Sequence, residues 1–361
     1  MKTINMSDYT VGVDAYDAIP EICHRHGAQS ICLASDQFAL KAAKPALMKG
    51  LEGSNISITG EIDYVTAPTR SMMERLASDP CFMEADVIMA IGGGGAIDII
   101  KAAADKLNKT VFTVPTICSN CAAATAIAVV YTEDGKPDGY VHPKAPAHIF
   151  INPEVIAQAP SIFMWAGIGD ALSKQPEVEY SSSKATLDHT GQLGVALAHT
   201  CTENLMKYGE QAIIDCENHV ASEAVEQVAL TILISTGYVS NLTNQPEYYY
   251  NSSLAHAFFN ASLSIEREGK KHLHGEVVSF GVLCLFAYMG NDAELERYAR
   301  FNKKVHLPVT LAELDLDESH LPALAHAATK TNEWKWGNPD PFDEQKFIDA
   351  ILKADAFGRS L

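Results

Sequence analysis

Apolar positions along the first 150 or so residues fall into two alternating rhythms. Short apolar runs bounded by turn residues read as buried strands, and longer stretches with apolar residues three and four apart read as helices. Ser30–Ser35, Val87–Ile91, Val111–Val114, Ile127–Thr132 and His148–Ile151 are strand-like, the fourth entering a turn at Glu133-Asp134-Gly135. Gln37–Leu51, with Pro45 as a kink point, and Ala96–Leu107 are helix-like. Strand–helix alternation predicts parallel pairing with helices on both faces. After Asn152-Pro153 the strand-like runs stop. Helical patterns follow at Ala166–Lys184, Gly191–Tyr208, Asn218–Leu242, Ser252–Ile265 and Glu276–Met289, with a last helix around Asp343–Asp355. Pro176 lies inside the first of these and should kink or split it. The pattern predicts two domains, an α/β domain over 1–160 and a helical domain over 161–361.

Length and composition agree with two cores. The chain has 361 residues, 47% of them hydrophobic, so it can bury a large interior and is not disordered. Its net charge of −18 makes nucleic acid and anionic membranes poor partners, since both require clustered Lys and Arg. The N-terminus lacks an apolar signal core, and Val277–Met289, the best apolar stretch, is too short to span a bilayer. The eight cysteines follow no regular framework. A cytoplasmic setting with reduced thiols is expected.

Two features carry chemistry. Gly92 to Gly95 join a predicted strand to a predicted helix, and Asp98 and Lys101 follow, about one helical turn apart. Four glycines there allow a tight bend and bring backbone N–H groups to the positive end of a helix, where a phosphate can bind; the pattern is not a standard G-x-G-x-x-G. Asp36, closing the first strand, reads equally as a ribose acceptor favouring NAD over NADP and as the cap of the next helix. The second feature is a scattered set: Asp170 in Gly167-Ile168-Gly169-Asp170, His256 between Ala255 and Ala257, and His274 before Gly275-Glu276. One carboxylate and two imidazoles can hold a divalent metal and leave a position open, the count of a catalytic site. His272 competes with His274 as ligand, donor to a ligand, or surface residue. Cys118-Ser119-Asn120-Cys121 has C-x-x-C spacing, but its setting after Pro115-Thr116 and before a run of small residues reads as a pocket-lining loop rather than a redox pair.

In order and spacing over nearly the whole chain, the glycine turn with Asp98 and Lys101, then Pro115-Thr116, Gly167-Ile168-Gly169-Asp170, His256 and His274-Gly275-Glu276 resemble the iron-containing (group III) alcohol dehydrogenase superfamily. The nearest branches are the glycerol dehydrogenases and hydroxycarboxylate dehydrogenases. The resemblance implies a dehydroquinate synthase-like architecture: an α/β N-terminal nucleotide-binding domain, an all-α C-terminal domain and an active site in the cleft between them. It implies Asp170, His256 and His274 as metal ligands, with zinc typical of the branch and iron or nickel as alternatives. It implies NAD, with NADP as the alternative, contacting Asp36, Gly93, Gly94, Gly95, Asp98, Thr116, Ser119, Thr125, Ile127 and Tyr131. It implies a homo-oligomer, from dimer to octamer, acting on a small-molecule substrate. Cys121 stands where glycerol dehydrogenases carry an aspartate that touches the polyol, which moves the expected substrate toward 2-hydroxy and 2-oxo acids. Gln175-Pro176-Glu177 departs from the aromatic residues usual beside Lys174. Competing readings are a lyase of the dehydroquinate synthase type and a non-catalytic nucleotide-binding relative.

Overall fold

The structure is a computed structural model describing residues 3–266 and 271–361, so the first two residues of the expected N-terminal domain lie outside it. Its main sheet has six parallel strands: β1 (Asp8–Val11), β2 (Ser30–Ala34), β3 (Ser57–Ile62), β4 (Val87–Gly92), β5 (Thr110–Pro115) and β8 (His148–Ile151), in the order β1-β8-β5-β4-β2-β3. The intervening β6 (Ala128–Tyr131) and β7 (Pro137–Val141) form a separate antiparallel hairpin. The strand expected at Ile127–Thr132 therefore exists but does not join the main sheet. β4 and β8 are buried along their whole length and β2 and β5 nearly so, which is the reason their sequences are largely apolar runs.

Helix Gln37–Gly50 follows β2 and carries Pro45 without a break. Helix Gly94–Lys106 follows β4. Beyond β8 the described chain is almost entirely helical, apart from a two-residue hairpin at Asn244–Gln245 and Tyr248–Tyr249. The long pattern over 166–184 is two helices, Ile162–Ala171 and Lys174–Ser182, broken at Leu172-Ser173. Pro176 sits in the first turn of the second, where its missing N–H has no partner to lose.

The chain forms two compact units. One comprises residues 1–163 together with 214–241, the other 164–213 together with 242–361. The segment 214–241, helical as expected, is thus built into the sheet-bearing unit, which a single boundary at 160/161 does not anticipate. Its apolar side chains Val225, Val228, Ile232, Leu233 and Val239 are buried. Asn241 locks it to the loop after β5: its Nδ2 donates to Ala124 O (2.8 Å) and its Oδ1 accepts from Ala126 N–H (2.8 Å). Among the described residues no helix is long and apolar enough to cross a membrane.

Candidate metal centre and nucleotide turn

In the second unit, three side chains from three helices converge. Asp170 lies near the end of helix Ile162–Ala171, His256 in the first turn of helix Leu254–Ser262, and His274 opens helix His274–Met289. One ligand atom from each falls within 4.8 Å of the other two. Asp170 Oδ1 is 3.0 Å from His274 Nε2 and 3.5 Å from His256 Nε2. The two imidazole rings are 5.4 Å apart, and the Phe259 ring meets His274 edge-on at 4.2 Å. His274 is 41% exposed while His256 and Asp170 are mostly covered, so the cluster has one open side.

A second carboxylate stands behind His256. Glu177, on helix Lys174–Ser182, is fully buried, and its Oε2 lies 2.6 Å from His256 Nδ1. Its Oε1 accepts the backbone N–H groups of Ser253 (2.8 Å) and His256 (3.0 Å), so it caps a helix whose own N-cap residue, Ser253, makes no side-chain cap.

The electrostatics of this group ask for a cation. Burial raises the Asp170 carboxyl, but the His274 and His256 imidazoles outweigh it and hold Asp170 well below the usual carboxylate range. Burial likewise raises Glu177, and its contacts with His256 bring it below normal. Burial lowers His256, yet Glu177 and Asp170 overcome it and push His256 up to about 10. Two buried carboxylates thus recruit a proton onto His256. A divalent ion with oxygen and nitrogen ligands would satisfy the same demand, so the donor set fits one.

His272 is no part of the cluster. Its ring nitrogens lie 2.9 Å from Glu276 Oε1 and 2.9 Å from Asp315 Oδ2, and it is almost wholly buried. It ties the entry of helix His274–Met289 to the αL residue Asp315, which is none of the three roles its sequence left open.

In the first unit, the glycine run closes β4 and opens helix Gly94–Lys106, with Gly93 as its N-cap and no side chain capping it. Gly94 makes room for the Asn120 amide: a β-carbon there would lie 2.5 Å from both amide atoms. Asp36 caps helix Gln37–Gly50 through Oδ1, which accepts from Phe38 and Ala39 N–H (2.9 Å each). Its Oδ2 faces Gly92, within 3.5 Å of where a β-carbon would be. One oxygen makes the cap, the second of the two sequence readings, and the other is turned toward the glycine turn. Thr116 N–H reaches Gly92 O (3.1 Å), setting Thr116 beside the end of β4, and Ser119 follows in the same loop, half-buried. Tyr131 N–H bonds Pro68 O (2.9 Å) from the hairpin.

Asp98 departs from its expected place among nucleotide contacts. It is buried, 2.9 Å from Lys101 Nζ through Oδ1, with Oδ2 accepting Val129 N–H (3.0 Å). Lys101 in turn reaches the carbonyls of Ala122 (2.6 Å), Thr125 (3.0 Å) and Ile127 (2.9 Å). Thr125 Oγ1 also faces this ammonium, at 3.3 Å. A buried ammonium needs such oxygens around it, so Asp98, Thr125 and Ile127 are committed to fixing the loop at 122–129. Cys118 is buried, Cys121 is half-buried, and the two form no disulfide.

The residues that sequence reasoning missed are Glu177 and the hub role of Lys101. Glu177 lies on the helix after the one that carries Asp170, so no helical spacing in the sequence relates the two.

The chain is similar to known proteins over most of its length. The family model for iron-containing alcohol dehydrogenase matches residues 7–153. A glycerol dehydrogenase from Thermotoga maritima is 36% identical over 287 residues, 76% of each chain. Hydroxycarboxylate dehydrogenase A from Escherichia coli K12 is 34% identical over 233 residues, covering 64% of this chain and 63% of that one. The crystal structure of a probable glycerol dehydrogenase from Sinorhizobium meliloti 1021 superposes with a TM-score of 0.84 at 26% identity, covering all of both chains. The chain belongs to the iron-containing alcohol dehydrogenase superfamily, in its glycerol dehydrogenase-like branch. It is a metal-dependent alcohol or polyol oxidoreductase from an NAD-dependent, metal-binding family.

Proposed function

We propose that this chain interconverts a small 2-hydroxy acid and its 2-oxo acid by hydride transfer with NAD, using one zinc ion held by Asp170, His256 and His274. The observation that carries the reading is the convergence of those three donors on one point. A cation held by Asp170, His256 and His274 would supply Lewis acidity toward a substrate oxygen, and a nicotinamide bound at the glycine turn would supply the hydride chemistry. Asp170 and Glu177 contribute the negative charge that retains a divalent ion. The exposed edge of His274 leaves an approach for the substrate, and Phe259 restrains that ring from one side. The uncapped first turn of helix Gly94–Lys106 offers backbone N–H groups to a pyrophosphate, and Asp36 Oδ2 is placed to accept from ribose hydroxyls and to repel a 2′-phosphate.

The choice of acid over polyol rests on Cys121. A thiol in place of a carboxylate removes a charge that would repel a substrate carboxylate. Glycerol and vicinal diols form the second reading, supported by the name of the Thermotoga maritima relative. A panel of 2-oxo acids with NADH and of glycerol and diols with NAD, each with zinc, nickel or iron(II), separates the two. Turnover of glycerol with none of any 2-oxo acid overturns the preference, and a preference for NADPH removes the role of Asp36. Asp170→Ala should abolish turnover while NADH titration by fluorescence shows cofactor binding within about twofold of wild type, since the glycine turn lies in the other unit.

A further inference from the structure

We propose that Glu177 is the positioning residue of the metal centre, holding the proton of His256 on Nδ1 so that Nε2 is the nitrogen that ligates. The proposal rests on the metal-dependent reading above and deepens it.

Glu177 has no freedom to do otherwise. It is fully buried, and Oε1 is fixed by the N–H groups of Ser253 and His256. Rotating the carboxylate breaks both bonds at the start of helix Leu254–Ser262. Oε2 is thereby aimed at His256 Nδ1 from 2.6 Å. With a metal on one nitrogen the imidazole keeps a single ring proton, and an ionised carboxylate only accepts, so this contact requires that proton on Nδ1. The lone pair then sits on Nε2, the nitrogen that faces Asp170 Oδ1 at 3.5 Å and the ring of His274. Metal-ligating histidines commonly have their second nitrogen held in this way.

Glu177 also caps a helix, and a purely structural role must be told apart from positioning. The two roles use different oxygens. In Glu177→Gln the amide oxygen still accepts the two backbone N–H groups, at unchanged volume. The amide nitrogen then meets Nδ1 as a donor, so Nδ1 must carry the lone pair and the proton moves to Nε2. The cap survives and the ligating nitrogen is blocked.

The test compares full-length wild type, Glu177→Gln and Asp170→Ala after chelator stripping, with zinc affinity read by competition against a chromophoric chelator. Glu177→Gln should bind zinc about 10- to 100-fold more weakly than wild type, with its metal-free urea midpoint unchanged. Equal affinity in wild type and Glu177→Gln, with Asp170→Ala still deficient, overturns the proposal and leaves Glu177 as a cap. Zinc binding untouched by Asp170→Ala overturns the metal reading itself. A measurement on wild type alone guards against a variant that fails to fold: ¹⁵N-histidine spectra of the zinc-loaded protein must show a protonated Nδ1 on His256, identified by its loss in His256→Ala. A protonated Nε2 with zinc on Nδ1 would overturn the proposal.

Discussion

His148 shows how a single buried side chain sets a pH limit. It lies in β8 with its ring against Phe150 and Phe112, and its Nε2 is 2.9 Å from Thr10 Oγ1. Burial, the largest cause, pushes its pKa down to about 4. The unfolded chain binds this proton near pH 6.5 and the folded chain does not, so the associated stability is present above pH 6.5 and is lost as pH falls toward 4. Between pH 7 and 5.5 wild type should lose about 1 kcal/mol more than His148→Asn, which removes the titrating group. Urea unfolding of both proteins at the two pH values measures this difference, and parallel losses would refute it. The three residues of the cluster stood out at the same scale. Asp170, His256 and His274 carry ligand chemistry in their side chains, and small neighbours mark two of them. Glu177 and Lys101 were opaque because glutamate and lysine on a helix ordinarily face water. Only the fold reveals that one is sealed behind an imidazole and the other inside a ring of carbonyls.

At the scale of elements, the pairing of Asp170 with His274 depends on two helices touching backbone to backbone. A β-carbon on Gly275 would lie 1.8 Å from Ala166 O and 2.7 Å from Asp170 N, and one on Gly169 would lie 2.4 Å from Gly275 O. Helices Ile162–Ala171 and His274–Met289 can approach this closely only where both lack side chains. That approach is what sets Asp170 and His274 within 3.0 Å. Gly275→Ala must force the backbones apart, so it should destabilise the chain by about 1–3 kcal/mol or more and weaken zinc binding, although residue 275 supplies no ligand. Urea midpoints and chelator competition measure the two effects, and unchanged zinc affinity would contradict the coupling. The strands teach a related lesson about pattern. β2, β4, β5 and β8 were readable because they are interior strands covered on both faces. β1 and β3 are the two edges of the sheet, half exposed and partly polar, and their sequences Asp8–Val11 and Ser57–Ile62 give no apolar run to find.

At the scale of the whole molecule, the chain leaves its first unit at residue 163 and returns over 214–241. Periodicity finds the helices of that segment but carries no information on which core they join, so the return was invisible in the sequence. A fragment ending at residue 163 would lack the buried Val225, Val228, Ile232 and Leu233 and the Asn241 bonds to the loop at 124–126. It should therefore be recovered aggregated, while full-length protein stays in solution under the same expression and centrifugation; a soluble fragment with a cooperative melt would refute this. Every donor of the cation cluster belongs to one unit and every residue of the glycine turn to the other. Each ligand therefore adds its binding free energy to a different body. A thermogram taken with zinc alone and another with NAD alone should move different parts of the heat-absorption profile, which makes the enzyme its own two-channel thermometer of what it has bound.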